Sequence, residues 1–129
     1  MTIYLNDNIR NNLANALRGY LSNATCQIFA GDRLPDPDYP PLTDPLVEFP
    51  IGFNSATDGK FTLSNAPRSA EVLLTGTAAW FRISYNSYAV DGDVSESGGA
   101  GDLILSSTAL VAGEMAALTQ LDFEIPKPA

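Results

Sequence analysis

Thr75-Gly76-Thr77-Ala78-Ala79-Trp80-Phe81-Arg82-Ile83-Ser84-Tyr85 holds the only tryptophan of the chain and its densest mixture of aromatic and β-branched residues. Such residues fit a pleated, half-buried surface, so the stretch reads as a strand. Side chains alternate along a strand: Phe81, Ile83 and Tyr85 point one way, and Ala78, Trp80, Arg82 and Ser84 the other. Bulk on both faces near Trp80 predicts a strand covered from two sides. A charged side chain in that setting snorkels, pairs with a carboxylate or stacks on an aromatic ring, and for Arg82 such a structural role outweighs direct ligand contact.

Downstream, Asn86-Ser87 turns the chain into Tyr88–Val94. Asp91-Gly92-Asp93 within it reads as a turn rather than a fragment of a calcium site. Ser95–Gly101, acidic and glycine-rich, reads as a flexible loop. Leu103 and Leu105 share one face of a short strand, and a turn at Val111–Glu114 leads to the last segment. There Met115, Ala117, Thr119, Leu121, Phe123 and Ile125 alternate with a mainly polar set, which predicts a strand stopped by Pro126. A helix over Gly113–Leu121 is the competing reading, and the alternation along the full length favours the strand.

Upstream, residues 6–22 form the one convincing helix. Ile9, Leu13, Leu17 and Leu21, flanked by Ala16 and Tyr20, make an apolar stripe, and Arg10, Asn11, Asn12 and Arg18 lie off it. Asn6 or Asp7 caps the start and Ser22 or Asn23 stops it. The helix packs on a sheet or docks on a neighbouring subunit. Residues 24–30 read as a strand in which Cys26 is a small buried hydrophobe rather than a nucleophile, because the chain has no histidine to activate a thiol.

In residues 31–45, five of fifteen positions are proline and four are aspartate. Proline lacks the backbone donor and restricts the residue before it, so the segment is expected to be an extended arm or long surface loop. The paired Asp36 and Asp38 lack the glycine and bidentate glutamate of a calcium loop. Residues 46–53 read as a strand that Pro50 confines to an edge or bulge. Asp58-Gly59 is the sharpest turn signal, and Phe61-Thr62-Leu63 a short strand. Short strands with turns at intervals of eight to twelve residues indicate an antiparallel sandwich or barrel. The 129 residues form a single domain: helix 6–22, proline-rich arm 31–45, and a β unit 46–126 to which 24–30 contributes.

Composition narrows the function. With 15 acidic against 7 basic residues the net charge is −8, and the basic residues stand singly, which argues against nucleic acid and anionic membranes. One cysteine permits no disulfide within the chain. The first residues show no basic region followed by an apolar run, so no signal peptide is expected. Zero histidine removes serine triads, Cys–His dyads and the usual zinc sites, and no phosphate-binding glycine loop is present. The expectation is a protein that is not an enzyme and carries no cofactor and no metal.

Thr75–Arg82, then Asp91-Gly92-Asp93-Val94, then Gly101-Asp102-Leu103-Ile104-Leu105-Ser106-Ser107, then Gly113, Leu118-Thr119 and Ile125-Pro126, resemble in order and spacing the small virion structural proteins of tailed bacteriophages. The Ser95–Gly101 loop is longer than in the simplest form of that pattern. The resemblance implies a mainly β fold, an antiparallel jelly-roll-like β-sandwich, to which the N-terminal helix and proline-rich arm read from the residues are attached. It implies a non-enzymatic particle component; small size, acidity, the lack of a cysteine framework and the extended arm then make a capsid decoration (cement) protein on the head surface, made in the host cytoplasm, the first reading. Its expected partners are copies of itself, as a trimer, and the major capsid protein. A tail or head–tail connector subunit is the second reading, and a carbohydrate- or ligand-binding sandwich with Trp80 and Tyr85 as a stacking platform the third. The candidate interface residues are Leu34, Pro35, Tyr39, Pro40, Pro41 and Leu42 of the arm, together with Arg82.

Overall fold

The structure, a computed structural model, describes residues 3–21 and 23–126. It is mainly β with one helix. Helix α1 spans Asp7–Tyr20, and the Asn6 side chain caps it by accepting from the Ile9 amide at 3.0 Å. Ser22, one of the two expected stops, lies outside the described residues. Asn23, the other, has a left-handed φ of 63°. The strands are β1 (Thr25–Phe29), β2 (Val47–Pro50), β3 (Lys60–Thr62), β4 (Arg68–Glu71), β5 (Gly76–Thr77), β6 (Trp80–Tyr85), β7 (Tyr88–Glu96), β8 (Leu103–Leu105), β9 (Ala109–Leu110) and β10 (Met115–Glu124).

Eight of these strands form one sheet in the order β2-β1-β6-β7-β8-β10-β3, with β4 paired to β10, while β5 and β9 pair separately. Pro50 falls on the edge strand, where its missing donor is harmless. The Trp80 strand β6 is interior, hydrogen-bonded to β1 and β7. The sheet curls until its β4 end approaches β2: Leu73 N donates to Leu46 O at 2.7 Å, and Arg68 Nη1 to Pro50 O at 2.9 Å. Ile28, Val47, Phe49, Phe81, Ile83, Leu103, Leu105, Leu118 and Leu121 fill the interior of the curl.

The expected all-antiparallel pairing fails at β7 and β8, which run parallel with Val94 opposite Leu103. Parallel neighbours normally require a crossover of a dozen or more residues. Here the chain doubles back within residues 97–102 by packing glycine against Ser95. Gly101 N donates to Ser95 Oγ at 2.9 Å, and a Cβ on Gly101 would lie 2.6 Å from Ser95 N. The loop read as flexible is therefore a tight return whose close approach only glycine permits.

Two further expectations change for reasons of register. Asp91-Gly92-Asp93 lies within β7 and is not a turn. Gly92 stands opposite Phe81, whose ring occupies the space a Cβ would take, at 2.5 Å. In β10 the single alternation breaks. Leu118 pairs with Leu105 and Gln120 with Ile104, so Thr119 is the extra residue of a bulge. Ala116 and Leu118 point inward before it and Leu121 after it, leaving Met115 exposed. A one-residue insertion exchanges the two faces, which alternation alone does not reveal.

The helix is rotated from its expected seating. Arg10 and Ala14 are buried, with Leu17 partly so and Leu21 buried just beyond the helix end. Ile9, Leu13 and Tyr20 are 47%, 45% and 52% exposed. The reason lies in what the helix meets. It lands on the 56–60 turn, whose amides require acceptors: Ala56 N donates to Asn15 Oδ1 at 3.1 Å and Gly59 N to Asn11 Oδ1 at 3.4 Å. Arg10 donates from Nε and Nη2 to Ile125 O at 3.1 and 2.8 Å. The polar groups of the helix turn inward because buried backbone groups must be paired. Beneath Ala14 lies a small aromatic cluster in which Phe61 and Phe123 stack at 5.0 Å and Phe53 meets both edge-on.

Candidate functional site

The face of β6 opposite the core carries Trp80, Arg82 and Ser84, beside Gln27 and Phe29 of β1 and Asp91 of β7. Phe29 and Trp80 are both buried yet belong to neither apolar cluster; they stack on one another at 4.4 Å on this second face. Trp80 Nε1 has no hydrogen-bond partner, the only buried side-chain polar atom so placed among the described residues. Ring stacking, rather than the indole N–H, therefore seats the tryptophan.

Arg82 is the centre of the site. Its Nε and Nη2 donate to the two carboxylate oxygens of Asp91 at 2.7 and 2.9 Å, and both side chains are buried. Its Nη1 donates to the carbonyl oxygen of Tyr39, and the guanidinium carbon lies 5.6 Å from the Trp80 ring centroid. The hydrogen bond to Asp91 is the largest influence raising the Arg82 pKa; burial opposes it. Fork-to-fork geometry of this kind is strong and directional. With its donors committed to Asp91 and Tyr39, Arg82 holds segment 31–45 to the sheet.

Segment 31–45 carries turns and no helix or strand. Between it and the β6–β7 hairpin runs a groove of about 330 Å³ lined by Gln27, Tyr39, Pro40, Pro41, Arg82, Ser84 and Tyr88, among others. Of the residues singled out in the sequence, Tyr39, Pro40, Pro41 and Arg82 meet in this groove. Leu34, Pro35 and Leu42 do not line it: Leu34 is half-buried, Pro35 exposed, and Leu42 is 85% exposed. Arg33 adds an exposed ion pair to Asp93 at 3.4 Å, worth little by itself.

Sequence reasoning missed Asp91 because Asp-Gly-Asp resembles a turn. A signal for it existed. A hairpin turning at Asn86-Ser87 places Tyr85 opposite Tyr88 and, counting back, Arg82 opposite Asp91. Arg10 and the outward Ile9, Leu13 and Tyr20 carried no such signal, since the helix seating depends on a turn over forty residues away. Cys26 is buried, and burial pushes its thiol far above the ordinary range.

Among the described residues no group of three or more His, Cys, Asp or Glu side chains could hold a metal ion, and no helix is long and apolar enough to cross a membrane. In comparisons with known proteins, no family model, curated protein or solved structure matches this chain.

Proposed function

We propose that the chain is a non-enzymatic structural protein of a tailed-bacteriophage virion, a decoration (cement) subunit that stabilises the head by contacts with its own copies, as a trimer, and with the major capsid protein. The observation that carries this reading is the exposed apolar content of the irregular segment: Leu42 and Tyr39 stand out from a chain whose core is already filled. Segment 31–45 is then an arm that adds contact area without a core of its own. The finer architecture belongs to the same proposal. The curled sheet serves as a jelly-roll-like sandwich, its β2-β1-β6-β7 half laid over the half formed by β8, β10 and β3. The sequence resemblance also supports it, since its three main segments fall on strands that neighbour one another, β6, β7 and β8.

The test is to label the protein and image particles carrying it. Label on the head surface supports the decoration role, label on the tail or neck supports the connector reading, and its absence from particles rejects both. Deleting residues 31–45 is expected to abolish incorporation. The groove beside Arg82 favours one other reading, a ligand-binding module. Glycan binding that is lost in Tyr39→Ala while the fold persists would replace the structural role.

A further inference from the structure

We infer that the outward face of α1, formed by Ile9, Leu13, Ala16 and Tyr20, is the surface through which copies of this chain associate into a symmetric homo-oligomer. The inference rests on the self-association in the proposed function and not on where in a particle the protein sits.

The helix buries only part of its apolar stripe. Its Arg10, Asn11, Ala14, Asn15 and Leu17 meet the rest of the fold, while the larger apolar side chains Ile9, Leu13 and Tyr20 face away. Pairing the backbone groups of the 56–60 turn and Ile125 explains the inward side, but it leaves the outward apolar side chains uncovered, and burying such side chains is a main driving force for a helix. The arrangement is consistent if a second apolar surface covers the outward face.

The spacing of that face suits another helix. Ile9, Leu13, Ala16 and Tyr20 follow one another at intervals of four, three and four, the d-a-d-a seam of a heptad. Leucine at a with isoleucine at d favours parallel bundles of more than two helices, which suits a trimer. The seam also continues beyond the helix. Tyr20 touches Tyr88 at 4.6 Å between ring centroids, and Tyr88 stands opposite Tyr85 across the β6–β7 hairpin. Both hairpin tyrosines are nearly half exposed.

Area and charge point to a copy of the chain as the occupant. Taking about 200 Å² for each whole side chain, the five half-exposed large side chains offer on the order of 500 Å². A standard interface covers about 800 Å² per partner, somewhat over half of it apolar, so the stripe matches what one stable self-contact needs. None of its side chains carries charge, although the whole chain has a net charge of −8. This is where copies can meet with the least mutual repulsion.

The experiment is sedimentation velocity on the full chain across micromolar concentrations, for wild type, the double variant Ile9→Glu/Leu13→Glu, and the exposed Met115→Glu on β10 as a control outside α1, the β6–β7 hairpin and segment 31–45. Wild type and the control are expected to share a mass that is a multiple of 13.7 kDa. The double variant is expected to associate at least roughly tenfold more weakly while keeping the near-ultraviolet circular dichroism of the buried Trp80. A folded double variant with wild-type mass overturns the assignment of this face and leaves self-association standing. A monomeric wild type overturns both, and then some other partner covers the helix. If the double variant unfolds, Ala16→Cys decides: oxidation is expected to yield disulfide-linked copies, whereas Met115→Cys does not. Failure of Ala16→Cys to cross-link overturns the inference.

Discussion

Arg82 and Asp91 face one another across β6 and β7 through two hydrogen bonds of 2.7 and 2.9 Å, and the same guanidinium grips the carbonyl of Tyr39. One buried ion pair thus joins two strands and fastens segment 31–45 to the sheet face that carries the Phe29–Trp80 stack. Removing one partner leaves a buried charge uncompensated, which costs about 3–5 kcal/mol, whereas replacing both by apolar groups of similar volume is often neutral. Asp91→Ala is therefore expected to lower the urea midpoint sharply, and Arg82→Met/Asp91→Leu to recover most of the loss. Equal destabilisation by single and double variants would show that the pair does not act as a unit.

Gly92 leaves the space that the Phe81 ring fills. Gly92→Ala is expected to destabilise by about 1–3 kcal/mol through overpacking, and Gly92→Ala/Phe81→Leu by less than the two single changes summed. Additive losses in chemical denaturation would remove the steric explanation.

The buried guanidinium of Arg10 ties α1 to Ile125. Arg10→Met keeps the volume and deletes the hydrogen bonds, so the Ile125 carbonyl loses its charged donor at about 1.5–3 kcal/mol. Hydrogen exchange is expected to quicken in α1 and at the end of β10 while β1 and β6 stay protected. Uniform quickening would mean that the helix is no separate unit.

Glu96 accepts from the Thr108 amide at 3.0 Å and its hydroxyl at 3.1 Å, and the amide bond is the main reason its pKa is lowered. A carboxylate with a lowered folded pKa adds stability above its unfolded value and loses it as pH falls through the folded one. The stability gap between wild type and Glu96→Gln is expected to be present at neutral pH and to close as acid protonates Glu96. A gap that stays constant with pH would exclude this origin.

Cys26, buried with a raised thiol pKa, is expected to resist thiol reagents at pH 8 and to react fully in denaturant. Rapid modification of native protein would contradict its burial.

Local chemistry was legible in the sequence. Asn6 as the cap of α1, Asp58-Gly59 as a turn with both residues at positive φ, Pro50 at an edge and the two-sided burial of the Trp80 strand all follow from a few adjacent residues. Of the candidate site, Arg82 and Tyr39 were legible as single residues and their contact was not. Asp91 was hidden because a short motif cannot say whether a glycine turns the chain or makes room for a ring.

The tertiary structure alone decided which way faces point and which strands lie together. The amides of Ala56 and Gly59 turned the polar side of α1 inward, an extra residue at Thr119 exchanged the faces of β10, and glycines packed on Ser95 made β7 and β8 parallel. Periodicity within a segment fixes that it has two faces. The unpaired groups and free space that a distant segment presents determine which face is buried, and no local pattern contains them.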